Sequence, residues 1–203
     1  MPPTAKLDLY KVHKAEYITP KKPVLVKTRP AKYLTISGRG APASAEFQNS
    51  VGALYGVAIT IKMARKFAGK DYKVCGLEGL YWGSAKEESA ALLDPNEWSW
   101  LLMIRVPDFI KDKDLRQAIC QLRAKGKVGD FEKVKLERID EGPCVQMLHV
   151  GPYSQENKSI DQMLAFVKQE GLACHGKHHE IYLSDPRRVP EDRLRTILRI
   201  PVE

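Results

Sequence analysis

The spacing of apolar positions along this chain changes several times, and each change marks an element. Lys32 to Ser37 (KYLTIS) reads as a strand, closed by Gly38-Arg39-Gly40 and Pro42. The spacing then lengthens. Phe47, Val51, Leu54, Tyr55, Ala58 and Ile61 fall on one face of a 3.6-residue helix, with Ser44 placed to cap it. Tyr72 to Trp82 reads as a second strand. Trp98 to Val106 (WSWLLMIRV) reads as a third, apolar at nearly every position and so buried on both faces. A loop from Gly83 to Asn96 joins them and carries Glu87, Glu88 and Asp94.

After Pro107, Leu115, Ile119 and Leu122 predict a short helix over Lys113 to Lys125, and Lys133 to Ile139 reads as a strand. The opening pattern then returns. Cys144 to Val150 is a strand, Gly151-Pro152-Tyr153 a turn, and Glu156 to Glu170 a helix with Ile160, Met163, Leu164 and Val167 as its stripe. His179 to Leu183 and Leu194 to Ile200 are strands. Both halves thus run strand, Gly/Pro turn, helix, Glu-bearing strand, and a last strand ending in Pro. This order predicts an α+β fold of two pseudo-symmetric βαββ repeats, about 31–107 and 133–203, in a domain over 31–203. The repeats would share one curved antiparallel sheet, with helices on one face and a ligand groove on the other. Residues 1–30, broken by Pro20, Pro23 and Pro30, form an arm with a short extended piece at Pro23 to Lys27.

Composition narrows the function classes. Hydrophobic residues make up 43% and charged residues 29% of 203, which fits a globular protein and neither a disordered nor a fibrous one. No run reaches the roughly 18 apolar residues of a membrane span. The charged N-terminus is no secretory signal, so the expected location is cytoplasmic. The net charge of +8 is spread widely, and the basic N-terminal stretch is interrupted by prolines. No helix-turn-helix, zinc finger or aromatic RNA-binding signature is present, so nucleic acid is not the expected partner. Cys75, Cys120, Cys144 and Cys174 have no paired spacing and read as reduced, mostly buried thiols. His178 and His179 are adjacent with no Cys at ligand spacing, so no metal is expected.

The candidate chemistry gathers on the Glu-bearing strands. Alternation separates His179, Ile181 and Leu183 from Glu180 and Tyr182. If the apolar pair faces the core, Glu180 and Tyr182 look across the sheet, where an aromatic cleft would make Glu180 a poorly solvated carboxylate. Glu78 occupies the corresponding strand of the first half, and Gly79 after it is a candidate bulge. Trp82, Trp98 and Trp100 lie within 19 positions of one another and could wall a flat or cationic ligand. Glu156 sits in a first helical turn, where it could cap the helix or reach the cleft. Tyr153 and His149 stand beside it as candidate donors. No Ser-His-Asp order, P-loop or dinucleotide fingerprint is present.

With HVGPY (His149 to Tyr153), the helix after it, and HEIYLSDP (His179 to Pro186), the chain resembles the GyrI-like small-molecule-binding family from about Lys32 to its end. The resemblance implies two βαββ units around a groove. It also implies a glutamate at Glu180 facing a planar aromatic or cationic small molecule. With its own arm, WSW strand and Lys113–Lys125 insertion, and no preceding DNA-binding domain, the chain looks like the stand-alone branch. That branch is similar to hydrolases opening the strained cyclopropane of DNA-alkylating antibiotics. The expectation is therefore a cofactor-independent, protective hydrolase, a monomer or weak dimer. Glu180, Glu156 and Tyr153 would be its catalytic residues, and Trp82, Trp98, Trp100, Tyr182, Glu78 and His149 would hold substrate. The alternative is a non-catalytic drug-binding or sensing protein, acting on a partner such as DNA gyrase.

Overall fold

A computed structural model describes residues 6–83 and 97–203; the loop acids Glu87, Glu88 and Asp94 lie outside the described residues. The described chain begins with a helical turn α1 (Leu9–Val12), followed by strands β1 (Val24–Lys27) and β2 (Ala31–Arg39). Helix α2 (Ala45–Phe67), strands β3 (Glu78–Trp82) and β4 (Ser99–Val106) and helix α3 (Asp112–Ala124) come next. Strands β5 (Lys135–Ile139) and β6 (Pro143–Val150), helix α4 (Asn157–Gln169), and strands β7 (His178–Tyr182) and β8 (Arg195–Pro201) complete it.

The eight strands form one curved sheet in the order β1-β6-β8-β7-β3-β4-β2-β5, antiparallel at every pairing. Read outward from the β7–β3 seam, the two halves match: β7-β8-β6 on one side, β3-β4-β2 on the other. The duplication read from the pattern is thus a two-fold arrangement in space, and the repeats meet edge to edge through β3 and β7.

Helix α2 forms where expected, because Ser44 accepts a hydrogen bond at its Oγ from the Phe47 N–H and satisfies an otherwise orphaned donor. Phe47, Leu54, Val57, Ala58 and Ile61 pack it on Leu34, Ile36, Leu102 and Ile104 of the sheet. Helix α4 covers the other half of the same face, with Ile160, Met163 and Val167 against Val145, Met147, Leu198 and Ile200. Each of these side chains larger than alanine, fully buried, contributes about 1.5–3 kcal/mol. Leu164, counted in the expected stripe, is instead exposed, because the α4 contact face is narrower than that of α2.

Two expectations are corrected and one is met. The second strand does not start at Tyr72. That residue makes only an isolated bridge to Leu7, and pairing begins at Glu78. The extended piece expected in the arm is β1, an edge strand on β6, and residues 16–20 cross the face away from the helices. Gly79 is no bulge. The register runs unbroken through Glu78↔Met103, Gly79↔Leu102 and Leu80↔Leu101. The glycine is needed for space, since a Cβ there would lie 2.7 Å from Tyr81 Cε2.

Candidate functional site

Strand alternation, fixed by the register, decides which side chains meet. Glu180 is paired with Gly79 on one side and Leu198 on the other. Leu198 packs under α4, so Glu180 and Tyr182 stand on the helix-bearing face. This reverses the expected sides. Ile181 finds its apolar surroundings on the opposite face, fully buried beside Ile197, and leaves the helix side to the polar pair. Leu183 lies past the strand end and is exposed.

Around Glu180 a polar chain is assembled from both repeats. The Tyr182 hydroxyl donates to Glu180 Oε2 at 2.7 Å, and the Tyr81 and Tyr182 hydroxyl oxygens lie 2.6 Å apart. With Tyr182's proton committed to the carboxylate, Tyr81 is the donor to Tyr182. His178 Nε2 lies 3.4 Å from Glu180 Oε1. Glu156 stands at the start of α4 but makes no capping bond with its side chain. It turns toward Glu180, and oxygens of these two carboxylates and a ring nitrogen of His178 all fall within 4.8 Å of one another. Glu156 is 6% and Glu180 7% exposed, so two carboxylates share a space with little water.

Electrostatics follow from that crowding. Burial, and then the charge of Glu180, hold Glu156 well above the usual carboxylate range, with the Thr196 hydroxyl offsetting only part of the rise. Two buried carboxylates this close do not both ionise readily, and the Tyr182 hydroxyl donates to Glu180 and not to Glu156, which favours the charge on Glu180. Burial, followed by Glu156 and Glu180, pushes the Tyr153 phenol up to about 12. Tyr153 is 38% exposed and packs edge-on against Tyr182 at 5.8 Å, so it sits at the open side of the cluster.

The other expected residues divide. Trp98 packs edge-on against Tyr81 at 5.6 Å, and its indole nitrogen is buried without a hydrogen-bond partner. Trp100 is core: it fills the space above Gly38, meets Phe47 at 5.2 Å and donates to the Gly40 carbonyl. Trp82 lies on the face away from the helices, with Lys177 Nζ 3.4 Å from its ring centre. Glu78 is also on that face, 3.1 Å from His179 Nε2. Neither Trp82 nor Glu78 reaches Glu180. His149 is packed, its ring nitrogens engaged by Ser159 Oγ and the Pro152 carbonyl, where it braces the turn that presents Tyr153 and Glu156. Tyr81 and His178 were absent from the expected set. Aligning the repeats by tyrosine, Tyr81 with Tyr182, places Gly79 opposite the position of Glu180 and brings Tyr81 into the site; aligning by glutamate does not.

Of the four cysteines, Cys75 and Cys144 are buried and Cys120 and Cys174 exposed, all free. No described helix is long and apolar enough to cross a membrane.

The GyrI-like small molecule binding domain model matches residues 21–203, which hold all eight strands of the described sheet. The chain belongs to the GyrI-like family. Its solved relatives include an uncharacterized conserved protein from Listeria innocua, 38% identical with a TM-score of 0.91, the match covering 98% of this chain and 100% of that one. Two more matches, both described as hydrolases from Listeria innocua, are 36% and 37% identical, each with a TM-score of 0.88 and the same coverage. The C-terminal domain of EcmrR shares the fold at 12% identity and a TM-score of 0.59, over 90% of this chain and 97% of that one. No curated protein matches the chain.

Proposed function

We propose that this GyrI-like protein is a cofactor-independent hydrolase that opens a strained, planar aromatic small molecule of the cyclopropanoid DNA-alkylating type, protecting the cell that makes it. The observation that carries the reading is the buried pair on the helix face, Glu180 held by Tyr182 and Glu156 facing it with a proton. Such a pair places a base and an acid side by side in poor solvent, where each is more effective than in water. The relatives described as hydrolases, at 36% and 37% identity, support hydrolysis over binding alone.

The reaction balances with these groups. Water attacks the cyclopropane carbon and gives its proton to Glu180. The breaking carbon–carbon bond releases its electron pair into the conjugated dienone, whose oxygen becomes a phenolate. Glu156 supplies the proton that neutralises that oxygen, and the Tyr153 hydroxyl, which has no hydrogen-bond partner among the described residues, orients it. Trp98 and Tyr153 offer aromatic edges and faces to a flat substrate.

The family model describes small-molecule binding, which keeps sequestration as the second reading. Excess cyclopropanoid substrate incubated with the protein and followed by mass spectrometry separates the two. Many equivalents of ring-opened, hydrated product are expected per protein, and Glu180→Gln should bind but turn over slowly. Loss of one equivalent without further turnover would leave only the binder.

A further inference from the structure

Beyond acid–base chemistry, the helix-face cluster has the donor set of a transition-metal site. Its members come from two elements: Glu156 from the start of α4, and His178 and Glu180 from one face of β7. A residue spacing of two on a strand sends both side chains the same way, and the α4 start brings the third ligand over them. His178 Nε2 and Glu180 Oε1 are 3.4 Å apart. Two ligand atoms each about 2.1 Å from a tetrahedral ion are separated by about 3.4 Å, so this edge is already at coordination spacing. The Glu156 oxygen completes a set within 4.8 Å, and a side-chain adjustment of about 1 Å closes it.

A second observation is independent of that spacing. Glu156 Oε1 and His178 Nε2 are buried without any hydrogen-bond partner, although Glu156 is only 6% exposed. Buried polar atoms are ordinarily satisfied, and two of them converging on the same carboxylate suit a common electrophile, the ion taking the place of the proton that the carboxylate pair otherwise shares. Glu180 is already arranged as a ligand should be. Tyr182 holds Oε2, Oε1 is left on the side of His178 Nε2, and Tyr81 fixes Tyr182 in turn. One imidazole and two carboxylates suit Zn²⁺, Co²⁺ or Mn²⁺, and the imidazole disfavours Ca²⁺ and Mg²⁺.

We infer that Glu156, His178 and Glu180 bind one divalent first-row transition-metal ion. An ion there occupies the oxygen that the proposed hydrolysis uses as its base, so it switches that activity off. The second statement rests on the hydrolase reading; the binding itself does not.

Co²⁺ titration of the full-length protein, after treatment with chelator, reads the site directly through d–d absorption. One equivalent is expected to bind saturably and to raise the thermal midpoint, and Zn²⁺ should displace it. Glu156→Gln and His178→Ala should each weaken binding at least tenfold, while His175→Ala, on an exposed residue, should leave it unchanged. Glu156→Gln is nearly isosteric, so its loss of binding with an unchanged circular dichroism spectrum is not a folding defect. Three results overturn the inference: no saturable binding below millimolar Co²⁺, binding that survives both variants, or a thiolate charge-transfer band placing the ion on Cys120 or Cys174. Inhibition of turnover by Zn²⁺ is then scored separately. Binding without any hydrolytic activity to inhibit would remove the hydrolase reading and leave the metal site standing.

Discussion

The hydroxyl oxygens of Tyr81 and Tyr182 lie 2.6 Å apart across the seam where the two repeats join. They occupy matching positions of a duplicated unit, yet they do different work, because only Tyr182 has a carboxylate two residues before it to receive its proton. Removing that proton should therefore matter more than removing Tyr81's. Tyr182→Phe is expected to lower kcat/KM by about tenfold to a hundredfold, the equivalent of losing one hydrogen bond to a charged group. Tyr81→Phe should cost less. Steady-state kinetics of the two variants on a cyclopropanoid substrate give the order, and equal effects would remove the directional chain.

Gly79 is where the repeats differ most usefully. A side chain there would meet the Tyr81 ring at 2.7 Å, so Gly79→Ala should destabilise by about 1–3 kcal/mol, as overpacking of a filled site does. The cause can be isolated. In Gly79→Ala/Tyr81→Ala the obstructing ring is gone, so the double variant should be more stable than the sum of the single effects. Additive losses in urea denaturation would mean that Gly79 serves the backbone and not the ring.

How legible this was in the sequence varies with the physics involved. The repeats, α2 and its Ser44 cap, and the buried WSWLLMIRV strand were readable because periodicity and capping are local. Glu180, Glu156, Tyr153 and Tyr182 were named together and do converge. Their face was not readable, because Ile181 is apolar and fully buried on the side away from the helices. Alternation says which residues share a face, never which face the helices cover. Glu78 and Trp82 were misassigned for the same reason: on β3 they share parity with Leu80, opposite to Gly79 and Tyr81. Spacing set His178 aside as a ligand because no Cys stands at ligand spacing from it; Glu156 is 22 residues away in sequence, and only the α4 start brings them together.

On the face away from the helices, Glu141 accepts from His179 Nδ1 at 2.9 Å and from Arg199 at 3.0 Å. Burial alone would raise its pKa, but the neighbouring His179 and Arg199 outweigh it and bring Glu141 down to about 2, from 4.5 when unfolded. A folded pKa below the unfolded one means stabilisation that is complete above about 4.5 and lost as pH falls toward 2. The difference corresponds to about 3 kcal/mol. Glu141→Gln should therefore be less stable than the parent at pH 7, and the gap should narrow between pH 4.5 and 2. A gap that stays constant with pH in chemical denaturation would show that Glu141 acts by packing and not by charge.

The arm offers the sharpest test of what holds that face closed. Glu16 is 4% exposed and accepts from Arg105 at 2.7 Å, while its own carbonyl accepts from Arg199 at 2.6 Å and the Ile18 carbonyl from Gln146 at 2.8 Å. Arg105 also donates to the Tyr17 hydroxyl at 3.0 Å, so one guanidinium gathers two arm residues. Glu16→Ala strands Arg105 as a buried cation and should cost about 3–5 kcal/mol. Replacing both charges behaves differently, since a buried pair exchanged for apolar groups of similar volume is often close to neutral. Glu16→Leu/Arg105→Met should thus recover most of the loss while keeping the arm on the sheet. Urea midpoints of the three proteins decide it. If the double variant is as unstable as Glu16→Ala, the arm is held by the geometry of these hydrogen bonds and not by charge balance. In that case limited proteolysis should cut first between Glu16 and Lys22, where the chain crosses from α1 to β1.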